Sequence, residues 1–125
     1  MNTYKSFWMG GFEGADHVNG RQQPLDMVRD SGHLRQVDRH YGKLRRLGIQ
    51  TVRESVGWRS VKPTVSSSYD FTRLRLRAAV ATRYEIQIIW TLMHYGTPDG
   101  VSLLDDSFID HFAEYAREAA LVHDP

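Results

Sequence analysis

Apolar residues recur along this chain in two rhythms. Leu34, Val37, Tyr41, Leu44 and Leu47 follow one another at spacings of 3, 4, 3 and 3, which puts them on one face of a helix. Asp30 or Ser31 is placed to cap its start, and Gly48 stands where a left-handed cap would end it. Arg35, Arg39, Lys43 and Arg46 lie off that stripe and read as a solvated face. Residues 49–56 alternate instead: Val52, Glu54 and Val56 share one parity, Thr51, Arg53 and Ser55 the other, the period of a strand. Residues 7–12 are apolar and aromatic with two glycines and predict a short first strand. Asp70 opens a second helix running to about Arg83, with Phe71, Leu74, Ala78 and Ala81 inward. Residues 86–93, IQIIWTLM, are almost continuously apolar, the mark of a parallel strand covered on both faces. Ser107 caps a last helix with Phe108, Ile109, Phe112, Tyr115, Ala116 and Ala119 on a wide apolar stripe.

The order β-α-β-α-β-α predicts an α/β fold of parallel strands joined by helical crossovers. Periodicity does not separate an open doubly wound sheet from part of a closed barrel. Residues 19–32, polar with Pro24 and two glycines, read as a long loop of the kind that carries function. Residues 66–68 are a short polar loop rather than a domain linker, and no repeat interrupts the chain.

Composition narrows the field. The 125 residues amount to one domain's worth, 41% hydrophobic and 25% charged, which reads as soluble and globular. Sixteen basic residues against fifteen acidic ones leave a net charge of +1, which argues against nucleic acid as a partner. Cysteine is absent, so disulfide and thiolate chemistry are excluded. No apolar run approaches the roughly 18 residues of a membrane helix, and residues 1–6 begin no signal peptide. No membrane partner and a cytoplasmic location are therefore expected.

In either α/β architecture, chemistry collects where strands end. Those ends carry Glu13, Asp16 and His17, then Arg53 and Trp58, then His94, Tyr95 and Asp99. His94 directly follows the most apolar strand; it is either satisfied by a backbone carbonyl or available to a ligand hydroxyl. Arg53 inside a strand needs a carboxylate partner: a structural ion pair, or a catalytic carboxylate that it holds ionised. Trp58 is either a platform for a sugar face or packing beneath a loop. Glu13, Asp16, His17 and His94 have no tight metal-ligand spacing, and no metal is expected. Phosphate-loop, nucleophile-elbow and HExxH signatures are missing, and FWMGGFEG lacks the spacing of a dinucleotide turn.

Three segments carry a resemblance. Residues 7–17, FWMGGFEGADH, resemble the first-strand segment of family 1-like glycoside hydrolases, which ends in a sugar-binding Gln at the place of His17. Residues 53–63, RESVGWRSVKP, match without gaps that family's second-strand pattern Arg-x-Ser-x-x-Trp-x-x-[Ile/Val]-x-Pro. Residues 94–98, HYGTP, resemble its third-strand His-Trp-Asp-x-Pro, and residues 108–120 its third helix with a Phe-x-x-Tyr-Ala core. The family is the β-glucosidase and β-galactosidase type, built on a retaining (β/α)8 barrel.

The resemblance implies that residues 1–125 are the first three β/α units of a partial TIM barrel, with parallel strands in order 1-2-3. It implies a sugar-binding rim of His17, Arg53, His94 and Tyr95, with Arg53 contacting the nucleophile, and carbohydrate as the partner. Gly96 replaces the family's Asp, Tyr95 its Trp and His17 its Gln, so a divergent relative is as well supported as a close one. Retaining glycosidases use two carboxylates about 5 to 5.5 Å apart, and no cofactor. In this family they lie on the fourth and seventh strands, in Asn-Glu-Pro-like and Glu-Asn-Gly-like contexts. None of Glu13, Glu54, Glu85, Glu114 and Glu118 stands in such a context. The chain as it stands is therefore expected to lack glycosidase activity. Half a barrel leaves open edges and an apolar face, so self-association or marginal stability is expected. The alternatives are a non-catalytic sugar- or protein-binding remnant and an unrelated small open-sheet α/β binding domain.

Overall fold

The computed structural model of the protein describes residues 3–123. Met1, Asn2, Asp124 and Pro125 lie outside the described residues, and with them part of residues 1–6, on which the expectation of no signal peptide rests. Three parallel strands form one sheet in the order β1-β2-β3: β1 (Met9–Gly11), β2 (Thr51–Ser55) and β3 (Gln87–Thr91). The register aligns Gly10, Val52 and Ile88, then Gly11, Arg53 and Ile89. The α/β class and the order 1-2-3 are thus as the sequence predicts, with β1 at an edge.

Helices α1 (Met27–Asp30), α2 (His33–Arg46), α3 (Trp58–Val61), α4 (Thr72–Arg83) and α5 (Ser107–His123) follow the strands in alternation. α2 and α4 pack together over the sheet, where Val37, Tyr41, Val52, Val80, Ala81 and Ile86 make one core cluster. A second cluster gathers where β2 ends, with Val56, Trp58, Val61, Phe71, Leu74, Tyr115 and Ala119. Strand parity decides which side chains join them. Val52 and Glu54 point to the helices, and Thr51, Arg53 and Ser55 to the other face.

Several local expectations shift. The cap of α2 is Gly32, at a left-handed φ of +77°, in place of Asp30 or Ser31. Those two residues instead close α1, one helical turn inside the long loop, capped by the Asp26 carboxylate. Gly48 does take the left-handed conformation, φ +75°, but Leu47 sits at the C-cap and is exposed. Ile109 is likewise exposed. The N-cap of α4 is Phe71, which makes no side-chain cap, rather than Asp70; Asp70 stands one residue earlier and accepts the Thr72 N–H at 2.9 Å. β3 is not covered on both faces. All five of its residues are half-buried, because helices cover only one side of an edge strand.

Candidate functional site

The strand ends meet on the side of the sheet that the helices leave open. β1 runs out through Phe12 into Glu13, whose Oε1 accepts the backbone N–H groups of Gly14 and Ala15, each at 2.9 Å. The turn needs Gly14, since a Cβ there would overlap the Ser55 side chain. The fixed Glu13 carboxylate lies 3.0 Å from Nδ1 of His94, which follows β3. Nδ1 makes no hydrogen bond, so the contact is a close approach rather than an aligned bond. The Ala15 N–H is the main cause holding Glu13 below its ordinary pKa, and the charges of His94 and Arg53 add to it.

Arg53 leaves the middle of β2 on the same face and is exposed. A buried guanidinium is not found: Arg53 is exposed although Thr51 and Ser55, of the same parity, are buried. The bare backbone of Gly11 lies beside it, and its Nη1 reaches Thr91 Oγ1 at 3.5 Å. None of the ion pairs among the described residues uses it.

Tyr95 is 70% exposed and holds a left-handed backbone, φ +69°. A non-glycine residue pays about 1–2 kcal/mol for that conformation, a strain typical of functional positions. Its ring lies 4.5 Å from the ring of His94 and edge-on to His17 at 5.6 Å. A cleft of about 320 Å³ opens between His17, Arg59, Tyr95 and Asp99. The structure therefore brings His17, Tyr95, His94 and Glu13 into one chain of contacts, with Arg53 close enough to act on Glu13 by its charge. Among the described residues no cluster of three or more His, Asp or Glu is arranged to hold a metal ion.

Trp58 resolves to packing. It is buried and stacks on Tyr115 at 5.0 Å with an interplanar angle of 4°. Asp16 is buried beneath the site. Its Oδ2 accepts the N–H groups of Arg59 and Ser60 at 3.0 and 3.4 Å. Its Oδ1 lies against Gly96, where a Cβ would overlap it. Burial pushes its pKa up, against those two donors.

The sequence reading missed a fully buried polar group on the helix side. Glu54, 0% exposed, accepts from Tyr41 Oη at 2.6 Å and from Arg77 Nη1 at 2.9 Å, and lies 2.6 Å from His33 Nε2. Burial alone would raise the Glu54 pKa; the His33 bond and the Arg77 charge outweigh it and hold the carboxylate ionised. Burial pushes the Tyr41 hydroxyl far up, so it keeps its proton and donates. The signal was present: His33, Val37 and Tyr41 share one helical stripe, Leu74, Arg77 and Ala81 another, and Glu54 has the parity of Val52 and Val56.

Among the described residues no helix is long and apolar enough to cross a membrane. No family model and no curated protein matches the chain.

Proposed function

We propose that this chain supplies the first three β/α units of a retaining, β-glucosidase-like glycoside hydrolase barrel of cytoplasmic carbohydrate metabolism, and with them part of its sugar-binding rim. One observation carries the reading. Arg53, His94, Tyr95, His17 and Glu13 converge at the C-terminal ends of the strands, on the sheet face that carries no helix. In a barrel that face is the interior and that end is the mouth. A sheet in sequential order, with its first strand at an edge, is consistent with consecutive barrel units.

Each side chain has a role that its geometry suits. His94, steadied by Glu13, presents an imidazole to sugar hydroxyls. Tyr95 offers an exposed ring for the apolar face of a sugar. His17 closes the far side of the cleft. Arg53, with no ion-pair partner among the described residues, stands ready for a carboxylate delivered by another strand, which it would keep ionised. Asp16 lies against Gly96, so a carboxylate borders the space that the family's third-strand Asp would take.

The test has two arms. Titration of the chain with methyl β-glucoside and methyl β-galactoside, followed by NMR, is expected to move the His94 and Tyr95 signals; unmoved signals at saturating sugar remove the rim assignment. Turnover of an aryl β-glycoside is expected to be absent. Robust turnover that disappears on Glu13→Gln or Glu54→Gln would overturn the assignment of the catalytic pair to other strands.

A further inference from the structure

The buried Glu54 cluster extends to the surface through a second histidine. His33 Nδ1 and His40 Nδ1 lie 2.8 Å apart. Two ring nitrogens at that distance share one proton; two facing N–H groups would collide. With His33 Nε2 bound to Glu54 Oε1, the pair accommodates one imidazolium and excludes two. Phe12 is stacked on both rings, 3.7 Å from His33 and 5.6 Å from His40, nearly parallel to each. The residue after Phe12 is Glu13, which touches His94.

We propose that the His40–His33–Glu54 chain is an acid-sensitive latch: while its imidazoles share one proton it holds Phe12 in place, and a second proton opens it and releases the start of the Glu13 turn. The latch stands without the sugar reading, because it is defined by its own geometry. The surrounding charges set its direction. On α2, Arg39 and Lys43 oppose a further positive charge at His40. On β2, Glu54 favours one, but Arg77 of α4 already occupies its other oxygen, and Tyr41 fills a further site. On α1, Arg29 and Asp30 pair with each other. Burial, then the His33 charge, depresses the His40 pKa below its ordinary 6.5. The unfolded chain therefore takes up its proton first as the pH falls. The contribution of His40 to stability is full above 6.5 and is lost below it, down through the folded value.

The test uses the full chain labelled with ¹⁵N. Long-range ¹H–¹⁵N correlations are expected to show one shared Nδ1 proton between His33 and His40 near neutral pH. The Phe12 signals are expected to move on acidification with a midpoint below 6.5, and to stay fixed in His40→Gln. Between about pH 7 and pH 5.5 the melting temperature of the wild type is expected to fall at least about twice as far as that of His40→Gln. Two histidines that each titrate independently with Phe12 unmoved, or no Nδ1 proton in the pair, would overturn the proposal. The tautomer measurement on the wild type decides the matter even if His40→Gln does not fold.

Discussion

Arg53 and Glu54 are chain neighbours with opposite circumstances, one exposed and one fully buried. Replacing Glu54 by Gln takes away the negative charge and the Oε2 acceptor that face the buried Arg77 guanidinium, which keeps only the Ser55 and Arg73 carbonyls. Glu54→Gln is therefore expected to cost about 3–5 kcal/mol, read from denaturant unfolding. Arg53→Ala is expected to stay within about 0.5 kcal/mol of the wild type in the same measurement, because an exposed side chain leaves nothing unsatisfied. The carboxylate also has a pH signature. Its folded pKa is depressed below 4.5, so its contribution to stability is present above 4.5 and lost as the pH falls through the folded value. Glu54→Gln is expected to flatten that acid limb. At Tyr95 the sign differs, since glycine relieves the left-handed strain while adding freedom to the unfolded chain. Tyr95→Gly is expected to be neutral or stabilising by up to about 1 kcal/mol, at the expense of the ring offered to ligand. Gly96→Ala forces a Cβ onto the Asp16 carboxylate and is expected to lower stability by about 1–3 kcal/mol.

At the scale of elements, hydrophobic period located β2 and the helices α2, α4 and α5, which pack apolar stripes into the core, while apolar content alone located β1 and β3. Two one-turn helices escaped it. α1 and α3 are four residues long, shorter than any period can register, and are held by Asp26 and by the Asp16 contact with the start of α3. Coverage of β3 was misjudged for a related reason. A run of apolar residues does not say which of its faces a neighbour covers, and all five residues of β3 are half-buried. In the candidate site, residue types at strand ends were legible, whereas the Glu13–His94 contact was not, because it joins residues 81 positions apart in sequence. The start of α4 was legible to within one residue, Phe71 taking the N-cap place expected of Asp70; Asp70→Ala removes the acceptor of the Thr72 N–H and is expected to cost about 1 kcal/mol in a thermal melt.

Among the described residues the sheet has two outer strands and one face against which neither α2 nor α4 packs. Phe7 and Trp8, 88% and 74% exposed, stand beside β1, and the outer edge of each flanking strand offers unpaired backbone groups. Association that rises with protein concentration is expected in sedimentation velocity. A monodisperse monomer with a cooperative melt across that range would show that the open face is tolerated in water.

The alternation along β2 has a consequence for how this chain can change over generations. One strand carries a position that answers to the solvent, Arg53, next to one that answers to the integrity of the core, Glu54. Substitutions at the first can accumulate without loss of the fold. Those at the second are filtered by folding itself. The surface chemistry of the strand can thus drift while the scaffold beneath it stays fixed, and the two selective pressures separate at adjacent residues of a single strand.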